Sequence, residues 1–170
     1  MFEGVRRWCW LAGVGAVLVV AGFLLWPRAD TEPLARQYRD VSACLLTDSA
    51  GIAAADVQPV WAGMQDASLQ TLGQVRYAEI AGEQDIANGR TFVNTLVLGK
   101  CLVIVGAGKL PVETIAAVAR ESPQQRFVIV SSGGPALTPG TGNLSLISAS
   151  GPDASRAAVS SAVAGVLSGS

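Results

Sequence analysis

Lys100 to Gly133 reads KCLVIVGAGKLPVETIAAVARESPQQRFVIVSSG, and the fold turns on how this stretch is parsed. Cys101 to Val105 is an unbroken apolar run, Gly106 to Lys109 a glycine turn, Pro111 to Glu121 a helix, and Phe127 to Val130 apolar again. A crossover of this length lets its two strands run parallel, which a two-residue hairpin cannot do. Apolar runs without polar alternation suit strands covered on both faces. The stretch therefore predicts an α/β sandwich.

Working outward, the same pattern repeats. Ser42 to Thr47 (SACLLT) predicts a first strand, followed by Asp48-Ser49-Ala50-Gly51. A helix from about Ala54 to Ser68 aligns Val57, Val60, Trp61, Met64 and Ala67 on one stripe, and Pro59 fits only in its first turn, which suggests Asp56 as the cap. Gln74 to Ile80 is a second strand, and Asp85 to Leu98 a second helix with Ile86, Val93, Leu96 and Val97 inward and Gly99 as its stop. After the central unit, Ser131 to Gly142 is a Gly/Pro/Thr loop, Leu144 to Ser148 a fifth strand and Asp153 to Leu167 a last helix. Read as five βα units, this is an open doubly wound parallel five-stranded sheet of order 2-1-3-4-5, with ligand positions at the carboxyl ends of its strands.

Composition narrows the chemistry. The 170 residues are 50% hydrophobic and 15% charged, with a net charge of -1, so no basic surface is offered to phosphate backbones and nucleic acid is not an expected partner. Histidine is absent, which removes the commonest general base and metal ligand. Neither a hydrolytic triad nor a catalytic zinc is expected, and no cofactor.

Part of the apolar excess is concentrated in Trp8 to Trp26, WCWLAGVGAVLVVAGFLLW, which carries no charged residue. As a helix it would span about 28 Å, close to the hydrocarbon thickness of a bilayer, with tryptophans at both interfaces. Arg6 and Arg7 precede it, whereas Arg28 is diluted by Asp30 and Glu32. The expectation is a single-pass anchor in the plasma membrane, residues 8–26, with a cytoplasmic N-terminus at 1–7, a linker or stalk at 27–41 and an extracytoplasmic domain at 42–170. The segment Trp26-Pro27-Arg28-Ala29 lacks the small-x-small cleavage pattern, which favours a retained anchor over a signal peptide. Cys44 and Cys101 open neighbouring strands, but aligning the strand ends offsets them by about two residues, so two buried thiols are expected rather than a disulfide.

VIVGAGK, Val103 to Lys109, invites a dinucleotide reading, but Pro111 stands where the third glycine belongs and Ser131-Ser132 where the acidic residue would close the next strand. It is not a P-loop either, because no Ser or Thr follows Lys109; a tight strand-to-helix turn is the better reading. Asp48 lies just past the first strand, where a carboxylate can accept hydrogen bonds from ligand hydroxyls or serve its own loop; position alone leaves both readings open. Trp61 reads as core rather than a stacking platform, and Glu79 and Glu83 as a solvated loop.

Several of these stretches resemble the first lobe of the basic membrane protein family, extracytoplasmic type I solute-binding proteins of ABC transporters that typically bind nucleosides. The matching residues are LLTDSAGI at Leu45 to Ile52, Gln58 with Trp61 and Gly63, VIVGAG at Val103 to Gly108, VARESPQQRFVIV at Val118 to Val130, and Asn143 to Ile147. The resemblance implies one lobe of a type I periplasmic-binding-protein fold that binds rather than catalyses. It implies a nucleoside-like ligand lined by Asp48, Ser49, Gly106, Gly108, Ser131 and Ser132, and an ABC transporter permease or a homodimer as partner. Two contacts depart from the family: the aromatic that stacks on the base is Asp56 here, and the acidic residue after the fourth strand is Ser131. The family also closes a second lobe over its ligand, whereas this sequence reads as a single lobe. A domain that has lost its ligand and serves as an anchored interaction or sensor module is the alternative.

Overall fold

The computed structural model describes residues 37–131 and 142–169. The expected anchor, the cytoplasmic N-terminus and most of the stalk lie outside these residues, as does Ser132. Among the described residues, no helix is long and apolar enough to cross a membrane.

Five strands form a single sheet of order β2-β1-β3-β4-β5: β1 (Ser42–Thr47), β2 (Gln74–Glu79), β3 (Cys101–Ala107), β4 (Arg126–Ser131) and β5 (Leu144–Ser148). Every pairing is parallel, so all five amino ends lie along one edge and all five carboxyl ends along the other. Alternation along β1, β3 and β4 sends side chains to two buried cores. Ala43, Leu45, Val103, Val105 and Val128 face α1 (Gln58–Thr71) and α4 (Pro152–Ser168). Cys44, Leu46, Ile104, Phe127 and Ile129 face α2 (Ile86–Leu98) and α3 (Lys109–Val118). Both faces of the central strands are covered, which is why these strands read as continuous apolar runs. The β2 edge is open, and its residues are exposed or half-buried.

Three local expectations are corrected. Asp56 does not cap α1: a 3-10 turn at Gly51–Ala53 comes first, and the cap position is Val57, whose side chain is fully buried and leaves Asp56 outside. The helix then runs on to Thr71 and ends through Leu72 in the left-handed region at φ 57°. Ile86, expected inward, is 39% exposed at the first position of α2; Gly89 takes the inner place, pressed so closely on α3 that an added Cβ would lie 2.6 Å from Thr114 Oγ1. Asp85 caps this helix as the sequence suggests, accepting from the Asn88 N–H at 2.7 Å.

The third correction concerns the cysteines, because Cys44 and Cys101 form a disulfide. Ser42 pairs with Cys101 but Ala43 pairs with Val103, so β3 accommodates one extra residue at Leu102. A bulge of this kind bends its strand and tightens the twist. It brings the two Cα atoms to 5.8 Å, inside bridging range. Arg76 lies over the bridge, its Nε 3.3 Å from Cys44 Sγ, and also donates to the Gly99 carbonyl.

Candidate functional site

Strand order reverses at β1, between β2 and β3, and it is beside that point that crevices open at the carboxyl ends of doubly wound sheets. Leu46 pairs with Gly106, so the chain leaving β1 at Asp48 runs beside the turn leaving β3 at Gly108. Asp48 is half-buried, and its Oδ1 accepts the Ala50 N–H at 3.0 Å, which folds the loop back on itself. Its other oxygen faces Gly108: a Cβ built there would sit 3.0 Å from Oδ2. Gly108 has φ 92°, the region that favours glycine, and it caps α3 without a side-chain hydrogen bond.

The start of α3 is chemically open. The first N–H groups of a helix have no intrahelical acceptor, and Pro111 contributes none, leaving those of Lys109 and Leu110 just past Gly108, the residue that the Asp48 carboxylate faces. An acceptor carboxylate next to donor amides suits a hydroxyl, which can donate to the first and accept from the second.

Neighbouring loops brace this arrangement. The Ser49 N–H donates to Gln84 Oε1 at 3.2 Å, while Gln84 Nε2 donates to the carbonyls of Ile80 and Gly82. Asn88 Nδ2 donates to the Ala81 and Glu83 carbonyls at 2.8 and 2.7 Å, fixing the same loop from its far side. Gly51, at φ 64°, is closed over by Glu79, whose carboxylate a side chain at that position would strike. Sequence reasoning missed Gln84 and Asn88; their signal was two amide side chains flanking an Asp cap, in a loop too short to satisfy its own carbonyls.

The structure thus brings Asp48, Ser49 and Gly108 together. Gly106 lies just beneath them but is buried, and a Cβ there would approach Ile115 Cδ1 at 2.6 Å, so it serves the close packing of α3 on β3. Ser131 stands half-buried at the carboxyl end of β4. Trp61 is half-buried on the flank of α1, its ring edge-on to Tyr77 at 5.4 Å, which places it over β2 and agrees with a packing role.

The carboxyl-end edge is rich in carboxylates: Asp48, Asp56, Glu79, Glu83, Asp85 and Asp153 lie along it, with Lys109 at the start of α3 and Arg156 one turn into α4 as cations. Such an edge disfavours phosphate-bearing ligands and tolerates neutral or cationic ones. Two open grooves lie elsewhere. One runs between α1 and α4, lined by Asp66, Gln70, Arg156 and Ser160; the other, lined by Arg120, Gln124, Arg126 and Asn143, opens at the amino ends of the strands. Neither includes a residue singled out from the sequence as a ligand contact. Among the described residues no group of acidic or sulfur side chains is placed to hold a metal ion.

Comparison with solved structures places the fold. It is similar to a fragment described as a lipoprotein from Peptoclostridium difficile 630, with a TM-score of 0.59 at 15% identity, covering 75% of this chain and 98% of that one. Weaker likenesses are to an ABC transporter system solute-binding protein from Aeropyrum pernix K1 (TM-score 0.48, 17% identity, 62% of this chain and 28% of that one). A transcriptional activator of the comK gene from Bacillus halodurans gives a TM-score of 0.46 at 16% identity, over 62% of this chain and 33% of that one. The chain therefore spans about a third or less of the length of these last two. No family model and no curated protein matches the chain. At these identities the likeness is one of fold.

Proposed function

We propose that this domain is a membrane-anchored, extracytoplasmic binding module of the solute-binding-protein type, which recognises a small polyhydroxyl solute, nucleoside-like in character, without transforming it. The observation that carries the reading is the Asp48 carboxylate held over Gly108 beside the open first turn of α3, at the point where strand order reverses. A ribose hydroxyl fits that donor–acceptor pair, and the acidic edge favours a nucleoside over a nucleotide. The Cys44–Cys101 disulfide supports an oxidising, extracytoplasmic location. A single lobe of this kind buries only part of a small ligand, and a second copy facing the Asp48 edge would supply the other wall.

A thermal-shift series on the purified chain in detergent tests this. A ligand that binds only the folded state, at about 100 times its dissociation constant, adds about 2.7 kcal/mol, or about 10 °C for a domain of this size. Nucleosides should produce a saturable shift and the corresponding monophosphates a much smaller one. Asp48→Asn keeps an oxygen for the Ala50 N–H but removes the charge, so it should abolish the shift and leave the unliganded melting temperature nearly unchanged. A shift that persists in this variant sinks the site.

The interaction-module reading has one observation in its favour, since Asp48 Oδ1 is already committed to its own loop. A folded, unresponsive protein across the whole panel would select it.

A further inference from the structure

The edge of the sheet opposite the candidate site carries a second surface. Arg39, Lys100, Arg120 and Arg126 are exposed there, at or just before strand starts and in the turn after α3, with Arg76 at the third position of β2, against Asp40 and Glu121; Arg39 Nη1 donates to the Leu167 carbonyl and Arg76 to that of Gly99. Glu121 is already paired with Arg90. Cations at this edge are partly accounted for by the helix C-termini that end on it, because the macrodipole favours them. The dipole does not account for the apolar side chains at the same edge. Tyr38, Leu69, Leu72 and Leu98 are 49%, 56%, 38% and 82% exposed at the same edge, four of the six large apolar side chains that stand out among the described residues.

Arginine and lysine sharing an edge with exposed leucine and tyrosine is the chemistry of a surface that rests on lipid: apolar groups enter the headgroup region while cationic groups pair with phosphates. Arg120 and Arg126 also line one open groove with Gln124 and Asn143. The chain enters the domain on this edge, where the Arg39 N–H donates to the Leu72 carbonyl. Ten residues, 27–36, separate that entry from the apolar run ending at Trp26, a reach of at most about 35 Å.

We infer that the amino-end edge of the sheet is a docking surface for an anionic phospholipid bilayer, holding the domain down so that the Asp48 edge points away from the membrane. The inference rests on the anchored reading for its tether, while its charge and apolar content are independent of it.

The test uses the full chain on vesicles of phosphatidylcholine alone and on vesicles with about one-third phosphatidylglycerol, reading amide hydrogen exchange at low and high salt. On anionic vesicles, exchange around Leu98–Cys101 and Arg120–Arg126 should slow by at least about threefold, and high salt should reverse this. The triple change Lys100→Gln, Arg120→Gln, Arg126→Gln should remove the slowing while leaving exchange in the β1 and β3 cores as it was. Equal exchange on both vesicles, slowing that survives the triple change, or slowing that requires an added membrane-protein extract would overturn the inference. An alkaline wash separates the two readings: release from neutral vesicles removes the anchor, while salt-sensitive slowing on anionic vesicles still upholds the docking surface.

Discussion

At the scale of single residues, close approaches explain more than polar contacts do. Gly89 admits Thr114 into the α2–α3 interface, where the threonine Oγ1 is buried and has no hydrogen-bond partner. Gly89→Ala should therefore cost about 1–3 kcal/mol by overpacking, seen as a lower urea midpoint with unchanged slope. Adding Thr114→Ala removes both the colliding atoms and the unsatisfied hydroxyl, so the double variant should recover much of that loss; a double variant as weak as the single would refute the contact. Two exposed ion pairs respond to pH. Hydrogen bonding from Arg156 lowers the pKa of Asp66, and hydrogen bonding from Arg90 lowers that of Glu121, each below its ordinary value of 3.8 or 4.5. A carboxylate whose folded-state pKa is depressed adds stability above its unfolded value and loses it as pH falls through the folded one. Stability should thus be flat from neutral pH to about 5 and decline below about 4, less steeply in Asp66→Asn, and high salt should blunt the effect. An identical acid profile for that variant would show that the pair contributes nothing.

At the scale of elements, the disulfide joins two adjacent strands across 57 residues of sequence, a span that contains α1, β2 and α2. Replacing both cysteines with serine should cost about 2–4 kcal/mol, read by chemical denaturation, and reducing agent should lower the natural chain to the same midpoint. A chain indifferent to reductant would contradict the bridge. This bond also marks where the sequence ceased to be legible. Strand positions followed from apolar runs that tolerate little else, so β1 and β5 fall where they were read and the ends of β2, β3 and β4 move by two residues or less. The bulge at Leu102 that brings Cys101 toward Cys44 leaves no trace in composition or periodicity, because it is a property of pairing. Helix α1 was misplaced for a related reason: Val57 is recruited into the core before regular helix begins, and burial outweighed the capping preference of Asp56. Of the candidate site, Asp48 and Gly108 were visible as a carboxylate and a glycine just beyond strand ends. The bracing amides Gln84 and Asn88 were not, since what they satisfy are carbonyls that only the folded loop presents.

At the scale of the whole molecule, the parallel sheet gives the domain two unlike ends. Carboxylates gather where the strands finish and cations where they start, so one end offers hydrogen-bond acceptors to a solute and the other offers positive charge to a surface. The two grooves outside the Asp48 edge give the binding account a clear competitor, especially the one between α1 and α4. Amide NMR of the labelled chain, titrated with a nucleoside, decides between them directly. The account predicts saturable shifts at Asp48 to Gly51, Gly108 to Leu110 and the loop around Gln84, with the α1–α4 groove silent. Shifts confined to Asp66, Gln70, Arg156 and Ser160, or no saturable shift anywhere, would contradict it.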